Sequence, residues 1–456
     1  MKMFKDTYMK KIVLTVVGGF MLMAVYGQNP QGQKLSFKEA VSFGLKNNVV
    51  LNQQKNQLEY TQVNKISTIL QMGPNISANG SVYRSDGNSF NQNEGKVVNG
   101  VIDFVNGSVN ANMPLFSGFT YLNQARAATN ANEAQQYQVV RSNQDVIRDV
   151  AAQFLSCLLD QELIKINQEN VNSQTVIYNQ IKEQVNLGSK AESDLFTQDY
   201  QVKNAELVLF RSNNTLHNDI ATLALTLQID PTLYFEVEQV NWDINELLTD
   251  SSAYDDMYAT AVTRRADLKQ AEHFEKAARY SYSSVKGRYY PNVSAGASYG
   301  SRYNYIQGDV NRSFSDQFTK DNVALSYGLN VYIPIFNGWL YKSQAAFSRV
   351  TYKNATIRRK NAEVTVKSDV VRAQRNFTDA KTNYLTSQAQ LKAADLTYKT
   401  EKEKYDLGTS NIVQLSTVNQ AYVKAQGEFQ NSMFTLMFQK LQLAYAMGTL
   451  RLEDIP

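Results

Sequence analysis

The sequence predicts an α+β chain built twice from one unit, in which a β-hairpin leads into a very long α-helical hairpin. Three observations predict it. The hexapeptide Pro114-Leu115-Phe116-Ser117-Gly118-Phe119 returns 220 residues later as Pro334-Ile335-Phe336-Asn337-Gly338-Trp339. Before each copy, side chains alternate apolar and polar, the period of a strand with two unlike faces. After each copy comes a stretch of more than a hundred residues without a proline.

The elements follow in order. Lys2, Lys5, Lys10 and Lys11 precede an apolar run, Ile12 to Val25, that is short for a bilayer span. Small residues Ala24 and Gly27 then suit a signal peptidase, so residues 1–27 read as a signal peptide cut near Gly27-Gln28. Leu35 to Met72 reads as one helix. It opens on a Ser36/Glu39 capping box and stops at Gly73-Pro74. Ile76, Ala78, Gly80 and Val82 alternate with Asn75, Ser77, Asn79 and Ser81. Residues 84–100, rich in Asn, Gly, Ser and Gln, read as a loop, and alternation resumes from Val105 to Met113. The β-hairpin is therefore 75–113.

A helical hairpin over 117–228 follows. Its first helix runs unbroken for about 67 residues and about 100 Å, and turns at Leu187-Gly188-Ser189. Residues 229–253 form a short linking segment in which Tyr234–Val237 reads as a strand. Then the plan repeats. Tyr254 to Lys286 is a helix, 291–333 a β-hairpin with a polar loop at 302–322, and 338–447 a second helical hairpin turning at Leu407-Gly408-Thr409. Pro74 and Pro291 are 217 residues apart, and Gly188 and Gly408 are 220 apart. Landmarks that keep one spacing over such a distance mark a duplication, with repeats at 28–253 and 254–456.

Composition narrows the chemistry. The chain carries 46 Lys and Arg against 42 Asp and Glu, a net +4. Removing the four lysines and Asp6 of the signal leaves 42 against 41, which is not the balance of a nucleic-acid binder. The single cysteine, Cys157, sits in an apolar helical stretch and reads as a small buried hydrophobe, so no internal disulfide forms. Neither does a lipidation cysteine follow the signal. Two histidines, His217 and His273, lie in polar helical sequence and read as solvated or structural. There is no Ser/His/Asp set, metal-spaced cluster or phosphate loop, so an enzyme is not expected, nor a catalytic residue, metal or cofactor.

Each strand is about ten residues long, the span of a tilted membrane strand. Alternation alone fits a soluble sandwich as well as a lipid-facing strand. Four strands cannot close a barrel, however, and open edges are forbidden in hydrocarbon. Nor can a lone helical hairpin of about 100 Å bury its stripe of Ile147, Val150, Phe154, Leu158, Ile166, Ile177 and Ile181 by itself. Several chains side by side would meet both demands, which favours an α+β membrane protein over a periplasmic structural coiled coil or adhesin.

With the doubled Pro-x-Phe-x-Gly joint (Pro114, Phe116, Gly118; Pro334, Phe336, Gly338) and the doubled Leu-Gly-Ser/Thr turn, the chain resembles the TolC-like outer-membrane efflux proteins, the outer membrane factors, over nearly its whole mature length. The resemblance implies a homotrimer forming a 12-stranded β-barrel in outer-membrane lipid, continued by a periplasmic α-helical barrel. It implies a passive exit duct for tripartite efflux or type I secretion, served by a periplasmic adaptor and an inner-membrane pump of RND or ABC type. It also implies that adaptor hairpins dock on Leu187, Gly188, Ser189, Leu407, Gly408 and Thr409, and that Asp194 and Tyr405 close the tip by polar contacts. Some members carry an acidic ring on the second tip helix. Here Gln414 and Thr417 stand at those positions, so strong cation preference is not expected. The joint aromatics Phe116, Phe119, Phe336 and Trp339 are expected near the inner membrane–water boundary.

Overall fold

The structure is a computed structural model that describes residues 34–91, 95–232, 235–240, 242–249 and 254–455. The expected signal at 1–27 lies outside the described residues, as does Tyr234. The chain forms two compact units: one of residues up to 52 with 142–263 and 368–456, the other of 53–141 with 264–367. Each unit thus draws segments from both sequence repeats.

The duplication is written in helix lengths. Helices α1 (Phe37–Asn47) and α6 (Tyr254–Arg264) each have 11 residues, and α2 (Val49–Leu70) and α7 (Ala266–Gly287) each have 22. The long helices α3 (Thr120–Asn186) and α8 (Leu340–Asp406) each have 67, and the returning α4 (Glu192–Leu227) and α9 (Ile412–Met447) each have 36. A six-residue helix, α5 (Ile244–Thr249), lies in the linking segment.

Two single helices expected from the sequence are each broken once. Asn48 takes an extended ψ of 124° and Arg265 one of 113°. Neither residue is a helix breaker by type. Asn48 accepts from the Leu51 amide at 2.9 Å, capping the helix that follows. Arg265, fully buried, makes a two-point contact with Asp267 at 2.8 and 2.6 Å, which holds that carboxyl below its ordinary range despite its burial.

The first unit contains a core of α1 and the helices of both hairpins. Phe37 stacks on Phe154 with ring centroids 4.8 Å apart, and the capping box of Ser36 and Glu39 is formed. Strand β1 (Lys34–Leu35) pairs in parallel with β4 (Glu236–Val237), the observed part of the strand expected at 234–237. Cys157 is buried, as expected, and burial pushes its thiol up to about 12. Nearby Asp160 is also buried and has no partner for Oδ2. Desolvation first, and the Asp219 carboxylate second, push it up to about 6. His273, in the second unit, is a structural residue held between Asn130 and Glu133 at 3.2 and 2.8 Å.

The second unit contains a four-stranded antiparallel sheet in the order 75–91, 96–117, 292–306, 324–332. The strands are β2 (Asn75–Asn91), β3 (Lys96–Ser117), β5 (Asn292–Ile306) and β6 (Ala324–Tyr332). The segment 84–100, expected as a loop, largely continues the ladder, with Asn91 opposite Lys96. Strand continuation there needs no apolar alternation, because backbone bonds and the cross-strand pair Arg84–Asp103 at 2.7 Å sustain it. The segment 302–322 likewise starts as strand, to Ile306, and then makes a helical turn (Phe314–Asp316) and a π-turn (Gln317–Asp321).

Register sets the apolar residues in rows on one face. Ile76, Ala111, Ala297 and Tyr327 form one row, and Ala78, Val109, Tyr299 and Leu325 the next. The opposite face carries Asn, Ser and Gly, with Ser298 Oγ donating to Asn110 at 2.7 Å and Asn106 to Ser81 at 3.2 Å. Ile76, Tyr327 and Leu329 are exposed in the single chain.

Both joints put two consecutive residues in the left-handed region, Gly118 and Phe119 at φ 62° and 63°, Gly338 and Trp339 at 61° and 72°. Their surroundings differ. A Cβ on Gly118 would lie 2.0 Å from the Gly287 carbonyl oxygen, while one on Gly338 would meet nothing within 4 Å. Thr120 Oγ1 donates to the Ser284 carbonyl at 3.2 Å beside this close approach.

Gly118→Ala is therefore expected to cost about 3 kcal/mol or more, by overpacking backbone against backbone, and Gly338→Ala about 1 kcal/mol from φ alone. Thermal melts of the two variants check the difference. A second expectation concerns Asp160. Its folded value lies above the ordinary 3.8, so the folded chain binds more protons between about pH 4 and pH 6 and stability falls as pH rises through that window. Asp160→Asn is expected to stabilise the protein by about 2 kcal/mol at pH 8 and to have little effect at pH 4, read from melts at the two pH values.

Candidate functional site

The two tip turns are built alike. Helix α3 ends on Leu187-Gly188-Ser189, with Gly188 at φ 71°. The Ser189 amide reaches back to the Gln184 carbonyl at 2.8 Å, and the Gly188 amide to Val185 at 2.9 Å. Helix α8 ends on Leu407-Gly408-Thr409 with Gly408 at φ 74°, Thr409 bonded to Lys404 at 2.9 Å and Gly408 to Tyr405 at 3.0 Å. This left-handed closure satisfies the last carbonyls of each helix. The hydroxyls of Ser189 and Thr409 add a second bond to the same carbonyls, at 2.8 and 3.0 Å. That explains a Ser or Thr after the glycine.

Each turn leaves its leucine in water. Leu187 is 81% exposed and Leu407 79%. No heavy atom lies within 4 Å of a Cβ built on either glycine. The tip thus offers two apolar knobs on open ground.

Beneath the turns the hairpins share one small core. Ile177 and Ile181 of α3, Tyr405 of α8, and Ile412 and Leu415 of α9 are buried together, with Val185, Leu195 and Tyr398 packed against them. Tyr405 is therefore mainly a core residue. Its hydroxyl accepts from Lys190 Nζ at 2.9 Å, and the same ammonium sits 4.3 Å from the ring centroid. Asp194, half-buried in the first turn of α4, is not joined to Tyr405 within the chain. Lys190 was not among the expected gate residues. Its position after Ser189 gives no sign of its reach, and only the folded hairpins bring it to Tyr405.

Gln414 and Thr417 lie exposed on the first turns of α9. The Gln414 amide is capped by Asn411 at 2.9 Å, and Thr417 bonds back to Val413 at 2.9 Å. No group of three or more acidic, His or Cys residues suited to a metal occurs among the described residues. Uncharged contacts continue between the helices, with Gln198 donating to Gln174 at 2.7 Å, Asn419 to Asn170 at 2.9 Å and Gln420 to Gln201 at 3.2 Å.

Comparison with known proteins decides the family. The family model described as "Outer membrane efflux protein" matches residues 45–227 and 257–448. The chain belongs to the outer membrane efflux protein family. The two matched segments fall one in each repeat. The chain is 23% identical over 246 residues to the outer membrane protein TolC of Salmonella enteritidis, covering 53% of this chain and 48% of that protein. It is also 23% identical over 248 residues to TolC of Escherichia coli K12, covering 54% and 49%. The chain thus spans about half the length of the curated relatives it matches.

Among solved structures, VceC of Vibrio cholerae superposes with a TM-score of 0.78 at 14% identity, covering 90% of this chain and 96% of that one. The Campylobacter jejuni CmeC outer membrane channel gives 0.77 at 16%, covering 92% and 88%. These likenesses show a shared fold. Family membership places the protein in the outer membrane with a periplasmic extension. No helix among the described residues is long and apolar enough to cross a membrane.

The tip core makes a distinction between variants. Tyr405→Ala should cost about 3 kcal/mol of local stability by opening the core, whereas Tyr405→Phe, which keeps the ring, should cost about 1 kcal/mol or less. Hydrogen exchange of the amides at 177–195 checks this, with strong acceleration expected for the alanine variant alone.

Proposed function

We propose that the protein is the exit duct of a tripartite efflux or type I secretion machine. Three copies close a 12-stranded outer-membrane barrel and a periplasmic helical barrel, and substrates pass through passively. An inner-membrane pump, of RND or ABC type, supplies energy, and a periplasmic adaptor docks on Leu187, Gly188, Ser189, Leu407, Gly408 and Thr409. On this reading the protein is a conduit and not a catalyst. Asp194, Tyr405, Gln414 and Thr417 line or hold the resting constriction, with Lys190 bracing Tyr405.

The observation that carries the proposal is an unmatched joint. The first joint closes on the end of α7, and Phe116 there is 37% exposed. The second joint has Ile335 96% and Phe336 87% exposed. The end of α2, which corresponds to that of α7 by the 217-residue spacing, is equally bare. Val63, Ile66 and Leu70 are exposed there and line an open groove of about 710 Å³ with Pro74 and Asn75. The outer edges of β2 and β6 are open as well. A second copy setting its α2 end and β2 against the first copy's second joint and β6 repeats between chains the contact that the first joint makes within one. Hydrocarbon requires such closure.

The test is a Leu70→Cys, Phe336→Cys double variant treated in cells with a short bifunctional maleimide. Covalent species ending at a trimer are expected, together with ion conduction by the purified protein in a planar bilayer. Monomer alone, without conduction, would overturn the duct in favour of a structural coiled coil. A photo-crosslinker at Ser189 or Thr409 is expected to capture an adaptor hairpin.

A further inference from the structure

Strand β5 outruns β6. β6 pairs with it only from Asn292 to Gly300, while β5 continues to Ile306 on β3. Along the overhang the backbone groups on the β6 side have no strand to bond. Three carboxamides from residues 307–322 take its place. Asn322 donates to the Arg302 carbonyl at 2.8 Å. Gln317 accepts from the Asn304 amide at 3.1 Å and donates to the Asn304 carbonyl at 3.0 Å. Asn311 accepts from the Ile306 amide and donates to the Ile306 carbonyl, both at 2.7 Å. Every second residue of the overhang thereby gains a carboxamide partner, Arg302 through its carbonyl and Asn304 and Ile306 through both backbone groups.

The segment then folds over the apolar face of the sheet. The Phe318 ring comes within 2.9 Å of the position of a Cβ on Gly107, so glycine makes the notch it fills. Phe314 stacks on Phe318 at 5.0 Å and meets the Tyr303 ring edge-on at 5.1 Å. Gly107, Ser301 and Tyr303 share the face of Val109 and Leu325 by register. Ser301 Oγ is buried there without a partner. On its outer side the segment shows Val310, 98% exposed, half of Phe314, and the ion pairs Lys320–Asp316 and Arg312–Asp321, each at 2.9 Å. The Arg84–Asp103 pair stands on this same face one row beyond Val82 and Val105, where the face turns from apolar to charged.

An overhang in bulk water can leave its edge to solvent. Sealing by three side chains meets the demand of a place where water is scarce. Aromatic rings beneath a charged rim match the headgroup–acyl boundary. We propose that residues 307–322 form an interfacial collar on the outside of the sheet, at the end remote from the joints. The collar binds the headgroup–acyl boundary of the outer leaflet and sets the depth of the barrel in it. The proposal rests on the membrane-barrel reading above.

Nitroxide labels on the full-length protein in phospholipid vesicles test it. Cys157 is buried and stays unlabelled. Labels go on Val310→Cys and Ser315→Cys, both surface positions, with Leu325→Cys reporting the apolar band and Leu187→Cys reporting water. The ratio of collisions with oxygen to collisions with a water-soluble nickel chelate is read at each. Values at 310 and 315 between those at 325 and 187 are expected. Values equal to that at 187 overturn the collar and leave the barrel standing. Nickel access at 325 itself overturns the barrel reading, and the collar with it.

Discussion

Unpaired backbone at the edges of the sheet is the constraint on which the rest depends. Outside water, every amide and carbonyl needs an internal partner. The chain meets it in two ways. Within the sheet, the register of β2, β3, β5 and β6 pairs them and sets Ile76, Val82, Val105, Val109, Leu325, Tyr327 and Leu329 on one face and Asn79, Asn106, Asn110 and Ser298 on the other. Beyond the end of β6, side-chain carboxamides replace a missing strand. At the outermost edges of β2 and β6 neither device operates, which is why the proposed function calls for further copies of the chain.

Duplication supplies the repeating parts, and small departures from it supply the asymmetry. Equal helix lengths, paired breaks at Asn48 and Arg265 and paired left-handed caps at Gln228 and Gly448 show two copies of one backbone plan. Gly118 and Gly338 share a conformation but not a neighbourhood, since only the first meets a carbonyl. At the tip, Gly188 and Gly408 stay equivalent and their leucines remain in water, while Lys190 has no basic counterpart, for Ser410 stands at that place. The same plan therefore yields one joint whose glycine backs onto the end of α7 and another whose glycine meets nothing in the chain.

Much of the architecture was legible in residue order. Proline-free stretches marked α3 and α8 to within a few residues, alternation marked the apolar rows, and Leu-Gly-Ser/Thr marked the turns. What misled was composition without partners. The Asn- and Ser-rich stretch at 84–100 reads as a loop because its stability as strand comes from ladder bonds and the Arg84–Asp103 pair. Asn48 and Arg265 read as helix interior, since capping by an asparagine and burial of an arginine against Asp267 depend on what folds around them.

By itself the sequence determined the secondary-structure plan, its duplication and the two left-handed tip turns, because periodicity, proline exclusion and glycine's access to positive φ are local physics. Only the tertiary structure decided which of the two joints is closed, that Tyr405 belongs to a core and bonds Lys190, and that residues 307–322 seal an edge. Those outcomes depend on backbone and side-chain atoms from distant segments meeting within a few ångströms, and residue order does not encode that distance locally.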